Sequence, residues 1–393
     1  MDINILPNFC AQMGCGGCYT MSKKRVAVIF GGQSSEHEVS RVSAQSVIEN
    51  IDKQKYDIVM IGITKEGQWL TYDGTTEKIG SGEWQAIAQQ RHLAQKGGLI
   101  KAPLETALIN SARAILTENG NNPIDVVFPV LHGCNGEDGT IQGLFELAQI
   151  PYVGCGVLGS ALGMDKAYTK VMFEKEGLPQ GDYLVFSRKQ IFNEQQEVIQ
   201  KVEERLTYPC FVKPSNAGSS VGVNKAGNRE ELAKALTIAA RNDIRILVEE
   251  FIDGREIECA VLGNDAPIAS TVGEVVPCKD FYDYEAKYQA GDSSKVMIPA
   301  ENLNSETVDK IREYAVRAFK CLDCAGLSRV DFFVHKKTGQ IYINEINTLP
   351  GFTKISMYPK LWDKSGIAYT ELIDKLIELA FERFNDCKRE FTN

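Results

Sequence analysis

The chain has 393 residues, long enough for two or three domains rather than one core. Its 44% hydrophobic and 24% charged residues describe a globular protein, and no apolar run reaches the ~18 residues of a membrane-spanning helix. The net charge of −9 excludes wholesale nucleic-acid binding, which needs a basic face, but leaves room for a small basic pocket that holds a nucleotide. Neither a membrane nor a nucleic acid is therefore expected as a partner. The 11 cysteines are odd in number and scattered, which argues against a disulfide framework and fits a reducing cytoplasm. Cys15-Gly-Gly-Cys18 has the spacing of a metal or redox pair, but no second pair or nearby His completes it.

Residues 1–21 show no periodic pattern and are expected to be a disordered extension; they lack the basic and apolar regions of a secretory signal. RVAVIFGG (25–32) is a strand ending in a Gly pair, followed by a helical pattern to about Asn50. YDIVMIGIT (56–64) and the run 124–131 are further strands, and IPYVGCG (150–156) follows a helix over 140–149. This alternation predicts an open, largely parallel α/β sheet over 22–154, with ligand loops at the strand ends. The stretch from about 70 to 120 is polar and poorly patterned, an elaboration on that domain. A second block, 155–253, begins with a helix over 165–176, then YLVF (183–186), a long charged helix over about 190–206 and the strand CFVK (210–213). It closes on RILVEEFIDG (245–254). The third block, 254–393, carries EIECAVLG, then SRVDFFVH and QIYINEIN joined by the turn composition KKTG (336–339), with helices at about 305–323 and 368–385.

Lys213 closes an apolar strand and opens a loop of small residues, Ser215, Ala217, Gly218, Ser219, Ser220 and Gly222. Such a loop lets backbone N–H groups approach an anion, with the lysine as a phosphate partner, although most small-residue loops are only turns. Lys166, at a helix start, is a second cation of the same kind. Glu249 ends a strand, where a carboxylate could accept from an adenine amino group or a ribose hydroxyl. Glu345 and Asn347 are two apart on a strand and share a face, which Asp331 joins if the two strands pair. Two carboxylates and an amide oxygen form a hard site suited to Mg²⁺. In GGQSSEHEVS (31–40) Glu36 sits at a helix start, as capping chemistry or as the partner of a substrate ammonium. His132, in LHGCNGEDGT, stands at a strand end within reach of a carboxylate. FYDYEAKY (281–288) is either a surface hairpin or a mobile lid, over about 280–299, that excludes water.

Taken in order, GGQSSEHEVS, LHGCNGEDGT, GSALGMDK, VKPSNAGSSVGV, EIECAVLGN, FYDYEAKY, GLSRVDFF and NEINTLPGFTKISMYP resemble the D-alanine–D-alanine ligases of the ATP-grasp superfamily, over about residues 24–385. The resemblance implies three α/β domains, with ATP as co-substrate gripped between the second and third. It implies that Lys166, Lys213 and Ser220 contact phosphates and that Glu249 and Glu256 hold adenine and ribose. Asp331, Glu345 and Asn347 would ligate two Mg²⁺ ions, for which Mn²⁺ could substitute, with K⁺ as an activating ion. Glu36 would bind the ammonium of the first D-alanine in a hydrogen-bonded set with Ser219 and Tyr288, with His132 nearby. Arg329 and the Gly351 N–H would meet the oxyanion, and Ser356, the Met357 N–H and Lys287 the second carboxylate. The family further implies a cytoplasmic homodimer. Where some relatives carry Lys after the strand-end Glu, this chain has Glu250, which receives no ATP role. Joining D-alanine to D-serine or D-lactate is the alternative within the family; Tyr288 within EAKY favours D-alanine. A non-catalytic nucleotide-binding regulator would have little use for Arg329 beside a metal site. A dinucleotide-dependent dehydrogenase lacks its full glycine fingerprint after VAVIFGG.

Overall fold

The computed structural model describes residues 23–95, 123–218, 222–277 and 294–388, which form three sheets. The first contains β1 (Lys24–Gly31), β2 (Tyr56–Ile63), β3 (Trp69–Tyr72) and β4 (Val126–Val130) in the order β3-β2-β1-β4. β1 runs parallel to β2 and β4, and β3 is an antiparallel edge. The apolar run of β1 is continuous because both of its faces are covered. Val26, Val28 and Phe30 enter one core cluster, Ala27 and Ile29 another. In the polar stretch after residue 70, the described part forms β3 and the helices Glu77–Ser81 and Trp84–Gln95; Trp84 is fully buried edge-on to Phe30.

The second sheet contains β5 (Tyr183–Ser187), β6 (Cys210–Pro214), β7 (Asn224–Ala226) and β8 (Arg245–Glu250) in the antiparallel order β5-β8-β6-β7. Alternation splits its strands: Cys210, Val212, Ile246 and Val248 join a core with Leu232, Leu236 and Ala239 of the helix Arg229–Asn242. Lys213, Leu247 and Glu249 therefore project from the other face. The single long helix expected over 190–206 is two, Arg188–Asn193 and Gln195–Arg205. A capping box between Ser187 and Gln190 starts the first, and Glu194, at φ −134° and ψ 35°, leaves helical geometry between them.

The third sheet contains β9 (Gly254–Gly263), β10 (Ile268–Pro277), β11 (Ser294–Met297), β12 (Gly326–His335) and β13 (Ile341–Asn347) in the order β11-β10-β9-β12-β13. Ile257, Cys259, Val330 and Phe332 pack against Ile311, Ala315 and Phe319 of the helix Ser305–Cys321. The intervening residues, Glu256, Glu258, Arg329 and Asp331, point to the opposite face. Farther along that face Ala260, Leu262 and Leu327 enter the same core cluster as Val28 and Phe128 of the first sheet.

Candidate active site

Lys213, on the free face of β6, lies 2.6 Å from Glu249 Oε2, and Lys170, in the helix Lys166–Glu176, lies 2.6 Å from the other oxygen. Burial would raise the Glu249 pKa, but the two ammonium groups outweigh it and lower it to about 2. For Lys213 burial pulls the pKa down, and the Glu249, Glu345 and Glu256 carboxylates outweigh that pull and hold it above the usual lysine range. Lys166 opens its helix at a fixed place because Asp165 caps it, accepting from Ala167 and Tyr168 N–H. Asp165 also accepts from the Ser215 hydroxyl at 2.6 Å and from Arg245, which ties the helix start to the loop after β6. Lys166 Nζ donates to the Ala217 carbonyl at 2.9 Å and stands 3.7 Å from Glu345 Oε2. The lysines of the second block thus share one cleft with the carboxylates of the third.

Across that cleft Asp331 faces Glu345 on β13 and Glu258 on β9 in direct register, while Arg329 faces Asn347. Directly opposed residues share a face, so Glu258, Asp331 and Glu345 form an acidic row. Asp331 is 2% exposed. Arg329 holds it through Nε and Nη2, both at 2.7 Å, and Nε also lies 3.0 Å from Glu258. Burial disfavours the guanidinium charge, but Asp331, Glu258 and Glu345 keep it protonated far above its ordinary range. Among the described residues no group of three or more His, Cys, Asp or Glu side chains is arranged to enclose a metal. Two carboxylates and the Asn347 amide oxygen, which accepts from Leu349 N–H at 3.1 Å, fit an ion that completes its shell with phosphate oxygens and water, as Mg²⁺ does.

The first sheet contributes its strand-end loops. Glu36 is buried, and its N–H donates to Ser34 Oγ at 3.0 Å. A Cβ on Gly218 would stand 2.3 Å from Glu36 Oε1, and one on Gly133 3.1 Å, so the carboxylate lies between two glycine backbones. Gly218 belongs to the Lys213 loop, which therefore touches the first sheet. His132 is buried with both ring nitrogens engaged: Nδ1 at 3.1 Å from the Leu349 carbonyl and Nε2 at 3.0 Å from Ser43 Oγ. Burial works against its charge, but Glu137 at 3.6 Å, Glu36 and the Leu349 carbonyl raise its pKa above the ordinary histidine value. Ser43 Oγ also accepts from Phe352 N–H at 3.3 Å. The two side chains thus grip the segment 349–352 on both sides of Gly351. Ser356 Oγ accepts from Thr353 N–H at 3.0 Å, and Met357 begins the helix Met357–Lys364. A cavity of about 320 Å³ lies at the ends of the parallel strands, lined by Gly31, Ser34, Trp69, Leu131 and His132 among others.

Ser219, Ser220, Lys287 and Tyr288 lie outside the described residues, as does the lid stretch up to residue 293. Glu256, on β9, takes part in the field around Lys213. Sequence reasoning missed Lys170, Glu258, Ser43 and Glu137. Lys170 is four residues after Lys166 and so on the same helical face; Glu258 is two after Glu256 and so on the same strand face. Ser43 carries no signal, because its partners are distant in sequence.

A strand lysine, Lys213, and a helix lysine, Lys166, of the second block facing carboxylates of the third sheet, with loops of the first sheet at one end, fit the ATP-grasp class of α/β enzymes. Two family profiles match, described as "D-ala D-ala ligase N-terminus" over residues 25–155 and "D-ala D-ala ligase C-terminus" over 172–378. The D-alanine–D-alanine ligase of Ruminiclostridium cellulolyticum is 77% identical over 95% of this chain and 99% of its own length. That of Acetivibrio thermocellus is 62% identical over 94% and 99%. Among solved structures, the VanG D-Ala:D-Ser ligase of Enterococcus faecalis superposes with a TM-score of 0.78 at 41% identity, covering 91% of this chain and all of that one. The D-alanine–D-alanine ligase of Coxiella burnetii gives 0.73 at 36% identity, over 93% and 95%. The chain belongs to the D-alanine–D-alanine ligase family.

Proposed function

We propose that the chain joins two D-alanines at the expense of ATP, releasing ADP and phosphate, for peptidoglycan precursors. The observation that carries this reading is the shared cleft, with Lys166 at 3.7 Å from Glu345 and Lys213 among the same carboxylates. A free carboxylate is a poor acyl donor. Its oxygen attacks the γ-phosphorus, ADP leaves, and the resulting D-alanyl phosphate accepts the neutral amine of the second D-alanine; the C–O bond to phosphate then breaks. Lys213 and Lys166 neutralise the phosphates during the transfer, with Ser220 at the loop, while Glu249 and Glu256 hold adenine and ribose. Asp331, Glu345 and Asn347 would hold two Mg²⁺ ions, or Mn²⁺, which when bound neutralise charge on the phosphoryl group. Glu36, with Ser219 and Tyr288, takes the first ammonium; His132 stands nearby. Arg329 and the Gly351 N–H meet the oxyanion, and Ser356, Met357 and Lys287 the second carboxylate. Glu250 supports its exclusion from the ATP site, since its carboxylate accepts from Asp182 N–H at 2.8 Å.

The high identity to relatives named for D-alanine supports D-alanine over D-serine as acceptor. A homodimer in the cytoplasm completes the proposal; among the described residues no helix is long and apolar enough to cross a membrane. The test is ADP release by the purified protein with ATP and Mg²⁺, with and without K⁺, and with D-alanine, D-serine or D-lactate as acceptor. D-Alanine-dependent release with D-alanyl-D-alanine as the main product is expected. A dominant D-Ala-D-Ser or depsipeptide product overturns the acceptor, and no turnover overturns the enzyme.

A further inference from the structure

Asp331 would be shared between Arg329 and the metal. Each of its oxygens accepts one hydrogen bond from Arg329, at 2.7 Å, and a metal would draw charge from the same carboxylate through a remaining lone pair. A buried guanidinium left without a carboxylate is costly, so a metal that draws on Asp331 needs the arginine to have a second anion. Glu258 is that anion. It is 6% exposed, directly opposite Asp331 across β9 and β12, and its Oε2 lies 3.0 Å from Arg329 Nε. Neither motif spacing nor the resemblance assigns it a task.

We infer that Glu258 is a positioning residue: it holds Arg329 aimed at the reacting carbonyl and frees Asp331 for the metal. The inference rests on the roles proposed above for Arg329 and Asp331. The carboxylates facing the arginine come from three strands, Glu258 on β9, Asp331 on β12 and Glu345 on β13, so removing Glu258 shifts the guanidinium toward the two metal ligands. A misplaced arginine costs rate in the chemical step, and an arginine leaning on Asp331 costs metal affinity.

The experiment compares Glu258→Gln, Glu258→Asp and Arg329→Gln with the parent chain. Each is characterised by steady-state kinetics and by Mn²⁺ titration, followed by electron paramagnetic resonance, with a non-hydrolysable ATP analogue and no D-alanine. Glu258→Gln keeps the shape and removes the charge. It is expected to lower kcat roughly 10- to 100-fold while KM for ATP and the first D-alanine stays within about threefold. Its Mn²⁺ affinity falls several-fold, and Glu258→Asp, which restores the charge, recovers it. A Glu258→Gln kcat close to the parent's, beside a crippled Arg329→Gln, overturns the inference alone. So does a loss of kcat with unchanged Mn²⁺ affinity, which marks a merely structural role. A near-normal Arg329→Gln overturns the reading beneath it. Should Glu258→Gln fail to fold, Glu258→Ala removes the same charge: a lower kcat with weakened Mn²⁺ binding supports the inference, and a parent-like kcat or Mn²⁺ affinity overturns it.

Discussion

Glu249 is where two lysines meet, Lys170 buried and Lys213 half-buried, and its charge serves both. Lys170 and Lys213 each stand 2.6 Å from one of its oxygens. Its folded pKa is lowered from 4.5 to about 2, so it binds its proton less readily in the folded state than in the unfolded one. The stability it contributes is therefore fully present above pH 4.5 and is lost as the pH falls toward about 2. A shift of this size corresponds to roughly 3 kcal/mol of stability that depends on the Glu249 charge. Glu249→Gln should abolish that part of the acid dependence and strand two ammonium groups in the cleft. Urea unfolding at a series of pH values from 2 to 6 checks it: the variant's stability should change less with pH over this window than the parent's. Parallel pH profiles would show that Glu249 is not the group that titrates. The same pairing bears on nucleotide binding, because an adenine or ribose contact must share a carboxylate that already serves two cations.

The segment 349–352 is short, irregular and caught between elements of different blocks. His132, at the end of β4, reaches the Leu349 carbonyl, and Ser43, in the helix His37–Asn50, reaches Phe352 N–H and His132. A first-sheet helix and the residue just after a first-sheet strand thus hold the backbone on either side of Gly351. Ser43→Ala leaves the Phe352 N–H without its acceptor and His132 Nε2 without its hydrogen-bond partner, at about 1–3 kcal/mol for a lost buried partner. It should also lower kcat about tenfold, since small displacements of the proposed oxyanion donor, the Gly351 N–H, are costly, with little change in KM for ATP. Thermal unfolding with steady-state kinetics tests both parts; a lower melting temperature with an unchanged kcat would reduce Ser43 to packing. This grip also marks where the sequence becomes unreadable. Lys213, Asp331 and Glu345 were legible because each interrupts an apolar strand, and a polar side chain there must face a site or solvent. The hairpin that brings Asp331 opposite Glu345 was legible from its turn. Ser43 is one polar residue inside a helix, and Lys170 looks like a solvated helix lysine. Both acquire meaning only from partners that folding brings near, one of them more than 300 residues away. The break at Glu194 is not legible because the charge pattern runs through it, and only the non-helical backbone of Glu194 separates the two helices.

The three sheets are not equally joined. One core cluster runs from Val26, Val28 and Phe128 of the first sheet through Ala260, Leu262 and Leu327 of the third to Leu372 and Leu376 of the C-terminal helix Tyr369–Asp386. The core of the second sheet, from Phe186 to Val248, contains only residues of the second block. The start of that block joins the third sheet's core through Phe173 and Leu178, but its sheet meets the acidic face through polar contacts in the cleft, as Lys213 does with the field of Glu345. Apolar burial dominates cooperativity, so the first and third sheets should unfold as one body and the second as another. The proposed ligand contacts span exactly that weaker junction, with Lys213 on one side and Asp331 on the other. Anything bound to both sides in the folded state, and to neither when unfolded, couples the two bodies. Scanning calorimetry of the free enzyme is thus expected to give an unfolding endotherm broader than one two-state transition, with a calorimetric enthalpy above the van't Hoff value. With ADP, Mg²⁺ and a phosphinate mimic of the tetrahedral intermediate, the components should merge and move upward, by about 2.7 kcal/mol of added stability at a hundredfold excess over Kd. Equal calorimetric and van't Hoff enthalpies in the free enzyme would instead mean that this junction is as cooperative as the shared core. In that case the seam between these sheets would not be the weak point that bound ligand reinforces.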